Sequence, residues 1–446
     1  MITRRIILAL IGISIAAAPQ FLVSSPIHAH VVSIAGICLF LWISELVPPF
    51  VPTIMLWALI PLLLAPYSTN YALAKVLADA ADPVMALFFG GFALGLAAQR
   101  HGLGARLTTF ALRISHNSYP KFLLLIIGIT AFFSMWISNI AAAALVFACL
   151  HPVVEKLDEG SILRRTLLIG VALGANFGGL ATPVGTGPNA IAIASVASTR
   201  PVSFVDWMVF AFPLMMGLLC LSFLFLVWRA WPNRDDWGPK ADPATIAVVD
   251  DRFGRTAFPL LLAATAVMWI TEPLHGIPAA VIALAAAAIL FVSGMLSGKD
   301  LLRIDWSTLL LIAGGITLGK LLERSQIIAD LAQKFPVTDS HPLATLFLLC
   351  LASASLSALM SNTATAVLLI PLAASMLPGS STSILIAVSC SLGTPFIIST
   401  PPNAMAFGQG GVRFGDLFWP GITLMLIGCI LVSLTGRAVL NFAGIQ

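Results

Sequence analysis

Charge is what this sequence has least of. Of its 446 residues only 9% are Asp, Glu, Lys or Arg, while 59% are hydrophobic. A water-facing surface draws on roughly a quarter charged residues, so a soluble globular domain is excluded. The formal net charge is +4 and no basic cluster is dense, which excludes a nucleic-acid partner. Cys38, Cys149, Cys220, Cys350, Cys390 and Cys429 are scattered through apolar stretches without C-x-x-C spacing, which argues against a disulfide frame or a thiolate metal site. Catalytic signatures are missing as well. There is no H-E-x-x-H, no G-x-S-x-G and no carboxylate pair in the polar segments, so an enzyme is not expected, nor a cofactor.

What is present is one apolar run after another. Segments near 6–24, 31–47, 52–67, 84–98, 166–182, 207–229, 257–271, 277–296, 307–322, 384–398 and 417–436 are apolar enough to cross a bilayer as helices. The start, MITRRIILALIGISIAAAPQFLV, resembles a signal peptide, but its apolar run continues toward spanning length and reads as a retained first helix. Charges gather at residues 100–121 and again at 228–255, the longest polar stretch.

The two sides of that stretch repeat one another in order. Trp42–Glu45 (WISE) returns as Trp269–Glu272 (WITE), and Phe89–Arg100 returns as Ala313–Arg324. Ser138-Asn139 returns as Ser361-Asn362, Thr186–Ala190 (TGPNA) as Thr400–Ala404 (TPPNA), and Phe204-Val-Asp206 as Phe414-Gly-Asp416. Five matches in one order indicate a duplication. Placing Arg4 and Arg5 in the cytoplasm puts 228–255 and most of the 23 Lys and Arg on the same side. One helix then precedes repeats of five crossings each, and an odd count makes the repeats inverted, an arrangement typical of secondary transporters with a midplane site.

The expected organisation is therefore an extra N-terminal transmembrane helix (1–30), a first inverted repeat (31–230), a cytoplasmic linker (231–256) and a second repeat (257–446). The fold class is an all-α polytopic membrane protein with about 11 transmembrane helices and two re-entrant helical hairpins.

Each repeat carries two interrupted segments. Residues 122–150 and 343–376 are too long for one crossing and hold Ser-Asn near their middles, which suits re-entrant hairpins with irregular backbone at the tip. Ser134 and Ser138, like Ser357 and Ser361, stand four apart and are expected to share a helical face. Residues 166–199 and 384–411 are helices broken by Pro and Gly, whose unwound carbonyls and half-helix ends suit a cation and an anion. No Arg, Lys, Asp or Glu occurs in 122–150, 170–199, 343–379 or 384–411. A bound anion there would meet amides, hydroxyls and backbone N–H groups, and a co-transported cation would supply the positive charge. Neutral oxygens suit Na+ better than protons. Glu45, Glu272, His101 and Glu323 are the candidates for proton coupling instead, although Glu45 and Glu272 read as helix-end residues beside Pro48 and Pro273.

On these motifs the chain resembles the divalent anion/sodium symporter family over nearly its whole length. That resemblance implies a homodimer in the lipid bilayer, with a scaffold domain and a moving transport domain that work by elevator-type alternating access. It implies Na+ as coupling ion and a small divalent anion as substrate, most often a C4-dicarboxylate. Sulfate symport and Na+-independent dicarboxylate exchange are the alternatives. The setting it suggests is a bacterial inner (plasma) membrane with a cytoplasmic N-terminus. Carried over by position, one Na+ site involves Ser134, Ser138, Asn139 and Gly185, and the other Ser357, Ser361, Asn362 and Ser399. The substrate contacts are Asn139, Ile140, Thr186, Asn362, Thr363, Thr400 and Pro401, with Pro188, Asn189, Pro402 and Asn403 structural at the breaks. The chain departs from the family pattern twice: Ile140 stands where the first motif has Thr, and Gly187 where the first break has Pro. Ile140 removes a hydroxyl beside the expected carboxylate, so the site should be lopsided, with Thr363 gripping one anionic end and an apolar wall near the other.

Overall fold

Backbone amides in a hydrocarbon setting must find partners within the chain, and α-helices do this locally. In the computed structural model every regular element among the described residues is helical. These are residues 14–442 except 16, 24, 45, 117, 198, 238–251, 328–341 and 378. Most of the expected first helix and of the linker, together with Glu45, lies outside them.

In chain order the main helices of the first half are α1 (Pro26–Ser44), α2 (Val51–Leu64), α3 (Leu73–Ala80), α4 (Pro83–Arg100), α5 (Leu103–Ile114), α6 (Tyr119–Ser134), α7 (Asn139–Val154), α8 (Ile162–Gly178), α9 (Gly187–Val196) and α10 (Phe204–Ala230). The second half continues with α11 (Arg252–Ile270), α12 (Ala279–Val292), α13 (Trp306–Arg324), α14 (Pro342–Ser357), α15 (Asn362–Met376), α16 (Ser380–Cys390), α17 (Pro401–Gly408) and α18 (Phe414–Phe442). Four helical stretches (Pro83–Arg100, Phe204–Arg234, Trp306–Arg324 and Phe414–Phe442) are long and apolar enough to cross a membrane singly. Among the described residues the apolar stretches of the other helices, such as Pro26–Trp42 and Thr256–Ile270, run to 10–17 residues. α3 and α5 are additions to the sequence-based spans, since their charged residues break up an apolar run.

The halves interlock. α12 packs along α4, and α2 along α13. A Cβ at Gly90 would lie 2.6 Å from the Ala283 carbonyl carbon, so α4 meets α12 at backbone distance. Thr53 Oγ1 donates to Leu310 O (2.8 Å), fixing α2 on α13. Recurring motifs make recurring bonds. Trp42 Nε1 donates to Pro49 O and Trp269 Nε1 to Ala279 O, each at 2.9 Å. Asp206 accepts from the Ser203 N–H (3.0 Å) and Asp416 from the Arg413 N–H (2.9 Å), so in both Phe-x-Asp motifs the Asp reaches back to the N–H three residues before it at the start of the helix.

Charges collect at two opposite ends of this bundle. At one, Arg100 pairs with Asp300, and Arg165 and Arg229 both pair with Asp416. At the other, Arg324 holds Asp79 (2.7 Å) and Lys320 lies 3.7 Å from Asp82. Arg100–Asp300 and Arg324–Asp79 each join one half to the other in mirrored fashion. Glu272 accepts from the N–H groups of Phe204 (3.0 Å) and Ala279 (3.2 Å), so it clasps the starts of α10 and α12. His101 is buried and bonded to Met295 O. The described cysteines are all free.

Candidate functional site

Three glycines set up the first cluster. Gly170, Gly174 and Gly178 recur every fourth residue on α8, a small-residue stripe that lets helices approach closely. A Cβ at Gly174 would lie 2.9 Å from Ile127 O, and one at Gly178 2.6 Å from Ala131 O, so α6 and α8 run almost backbone to backbone. At its end α8 tightens: the Gly179 N–H turns to Phe177 O, which frees the Ala175 carbonyl. Ser134, the last residue of α6, points at that carbonyl. Its Oγ lies 2.6 Å from Ala175 O and 2.8 Å from Asn139 Oδ1, and its single hydrogen serves one of them.

The Asn139 amide terminus facing Ser134 is also 3.2 Å from Ala175 O and 3.1 Å from Gly185 O. With Oδ1 turned inward, four oxygens face one another with only the Ser134 hydrogen among them, and a cation would offset their repulsion. With the amide nitrogen turned inward, it donates to both carbonyls and the cluster closes on itself. Carbonyl, amide and hydroxyl oxygens are ligands for a hard cation, and the residues fit Na+.

The second half builds its cluster by the same device. The Thr394 N–H bonds to Leu392 O (2.8 Å), which leaves the Cys390 carbonyl free. Ser357, the last residue of α14, donates to Cys390 O and lies 2.7 Å from Asn362 Oδ1. A Cβ at Gly393 would sit 2.6 Å from Ala354 O, repeating the close approach. Ser399 differs from Gly185: its hydroxyl is engaged locally by Phe396 N (2.7 Å) and Phe396 O (2.9 Å).

One expectation is corrected here. Ser134 and Ser138 do not share a helical face, because α6 stops at Ser134 and residues 135–138 form a turn. Ser138 instead caps α7 by accepting from the Ala141 N–H (3.3 Å), and Ser361 caps α15 from Ala364 (3.3 Å). The unpaired amides at a helix start claim these hydroxyls. Ala175 O and Cys390 O take their places; a carbonyl released by a tightened helix end leaves no mark in the side-chain sequence.

The breaks are braced by their asparagines. Asn189 Nδ2 donates to Gly179 O (3.1 Å) and Thr182 O (2.8 Å), and Asn403 Nδ2 to Thr394 O and Phe396 O (both 2.9 Å). Pro188 and Pro402 are buried in the first turns of α9 and α17, where a missing N–H is harmless. Asn176, which sequence reasoning passed over, donates to Asn403 Oδ1 (2.9 Å) and ties α8 to the opposite break. A buried amide in an otherwise apolar helix was the available signal.

The substrate candidates draw on both halves. α7 packs against α17 and α15 against α9, so each Ser-Asn tip meets the other half's break. A Cβ at Gly187 would overlap Thr363 Oγ1 and come within 2.9 Å of its Cγ2. Asn139, Asn362 and Thr363 are half-buried, Thr186 and Thr400 are buried, and Ile140 and Pro401 are exposed.

Access differs between the two ends. Toward the Arg324 end a crevice of about 1180 Å³ runs between α13 and the pair α9 and α15. None of the site residues line it. It stops where Gly315 meets Val367 and Ile191. Next to the first tip, Trp136 stacks on Phe204 and on Trp269 (ring centres 6.2 and 5.6 Å). Ile140, Ile398 and Pro401 remain exposed.

Comparison with known proteins agrees with this architecture. Residues 21–390 match the family model described as "Citrate transporter". The chain is 29% identical over 425 residues to an uncharacterized transporter of Haemophilus influenzae, covering 89% of this chain and 88% of that protein. It is 24% identical over 434 residues to the sodium-dependent dicarboxylate transporter SdcS of Staphylococcus aureus, covering 88% and 82% respectively. The crystal structure of the Alcanivorax borkumensis YdaH transporter superposes with a TM-score of 0.57 at 16% identity, over 87% of this chain and 98% of that one. At this identity the likeness concerns the fold.

Proposed function

The chain belongs to the citrate transporter family and is a secondary transporter rather than an enzyme, and from this premise we propose that it couples Na+ to the uptake of a small anion. The observation that carries the reading is the oxygen cluster of Ser134, Asn139, Ala175 and Gly185, with its counterpart at Ser357, Asn362 and Cys390. Sodium dependence in the name of the SdcS relative supports it. With Na+ in both clusters, the Asn139 and Asn362 amides are fixed, and their outward faces together with Thr186, Thr363 and Thr400 form the anion site. The cations supply the charge that no side chain there provides.

In this reading the halves are inverted repeats, and the pairs α6–α7 and α14–α15 are re-entrant hairpins. They move with α8–α10 and α16–α18 against a scaffold of α1–α4 and α11–α13, as an elevator in a homodimer. The end bearing Arg100, Arg165 and Arg229 is cytoplasmic by the positive-inside rule. The exposure of Ile140 and Ile398 then corresponds to an inward-open state. A C4-dicarboxylate is the first substrate to try.

The test is uptake of labelled succinate and labelled sulfate into proteoliposomes with and without an inward Na+ gradient. Uptake that requires Na+, and that falls to background in Asn139→Ala and Asn362→Ala, is the expected result. Uptake indifferent to Na+, and appearing only with preloaded anion, would replace symport by exchange.

A further inference from the structure

Accepting that reading of the site, its two ends are chemically unequal. At one end Gly187 opens α9, a ten-residue helix, and contributes a backbone N–H where the equivalent Pro401 has none. The preceding Thr186 is 9% exposed and its hydroxyl does not cap the helix. Thr363 presses its Oγ1 into the space that a side chain at Gly187 would take. The Thr363 hydroxyl, one added N–H and the positive end of a helix dipole thus lie together, with Thr186 next to them in the chain. At the other end the equivalents are Ile140, Thr400 and Pro401. The Ile140 side chain has no donor and is 43% exposed. The Thr400 hydroxyl oxygen caps α17, accepting from the Asn403 N–H (3.4 Å) and keeping its own hydrogen to give, so the difference between the ends rests on Ile140 and Pro401. Pro401 offers only ring carbons.

We propose that this transporter recognises a single anionic head, held by Thr186, Gly187 and Thr363, and that the rest of its substrate lies against the apolar Ile140–Pro401 wall. A second carboxylate then adds nothing to binding. Losing a hydrogen bond to a charged group is worth about tenfold or more in affinity, so the missing donors at Ile140 and Pro401 are enough to abolish a preference for dicarboxylates.

The test uses the purified full chain in Na+ buffer and reads thermal protection by succinate, butyrate and sulfate. The expected result is that butyrate protects within about threefold of succinate's concentration dependence. Succinate protecting at more than tenfold lower concentration than butyrate overturns the proposal. Protection by sulfate alone, which leaves nothing to lie against the Ile140–Pro401 wall, also overturns it. If no anion protects in a Na+-dependent way, it is the Na+-coupled anion reading that fails, a distinguishable outcome. Thr363→Val, which keeps the shape and removes the hydroxyl, should weaken every protecting anion about tenfold while stabilisation by Na+ alone persists. Ile140→Thr should restore a preference for succinate over butyrate. An unchanged ratio in Ile140→Thr would place the second end elsewhere and count against the proposal.

Discussion

The two halves carry equivalent residues in unequal surroundings. In the first half Trp136 is 6% exposed, Val184 2% and Phe204 1%; their counterparts Leu359, Ile398 and Phe414 are 66%, 78% and 54% exposed. Trp269, onto which Trp136 and Phe204 stack, corresponds to Trp42, which is buried without either partner among its ring contacts. The glycines differ in the same sense. Gly95 packs on Ile137 of the first tip, whereas the equivalent Gly319 has open space beside it, and Gly315 meets Val367 well beyond the second tip. A duplicated bundle at rest halfway would show matched contacts. This one has one tip docked and the other exposed, the inequality that the proposed alternation of the two interfaces would produce.

The sharpest way to break that comparison is to lock one interface. Phe204→Cys with Trp269→Cys, whose rings are 4.9 Å apart, should cross-link readily with a short bifunctional reagent and reduce uptake to background. Phe414→Cys with Trp42→Cys should cross-link only under transport conditions, and should block uptake once formed. Equal cross-linking of both pairs in the resting protein would mean that the inequality is not a resting state.

A smaller effect separates the two braces. Asn403 makes three hydrogen bonds, to Thr394 O, Phe396 O and Asn176. Asn189 makes two, and its Oδ1 and the Ser391 hydroxyl, in the position matching Asn176, are buried without partners. Each buried group left unpaired costs about 1–3 kcal/mol. Asn403→Ala should therefore lower the melting temperature more than Asn189→Ala. The reverse order, read in thermal unfolding, would remove Asn176 from the account.

The smallest expected effect concerns the mirrored ion pairs. Burial pushes the Asp300 carboxyl up, but bonds from the Ser297 side chain and N–H, with Arg100 and Arg303 beside it, more than offset this and hold it below the usual range. A depressed carboxyl contributes stability above its unfolded value, about pH 4, and loses that contribution as pH falls through the folded one. Asp300→Asn should flatten the loss of thermal stability below about pH 4, while leaving Asp79–Arg324 and uptake at neutral pH unchanged. A pH profile identical to the parent would show that the pair contributes little there.

Much of this architecture was legible beforehand because duplication prints its evidence twice. Apolar runs gave the helical class, and the repeated Ser-Asn and Pro-Asn motifs led to the tips and breaks. What stayed hidden lies in the backbone. Ala175 O and Cys390 O join the clusters only because a helix end tightens, and no side chain announces it. Ser138 and Ser361 were drawn away because a helix start needs its amides paired. α3 and α5 were missed because lone charges interrupt a short amphipathic run.

The crossed pairing of the halves also sets a timetable for synthesis. When residues up to α10 have been made, the Asn176 amide, the Gly187 face, Arg100 and Gly90 still await Asn403, Thr363, Asp300 and α12. The newborn first half must wait in the membrane with these groups unclaimed. Neither half closes on itself, since Thr363 at one tip meets Gly187 in the other copy's break and Asn176 meets Asn403 across the halves.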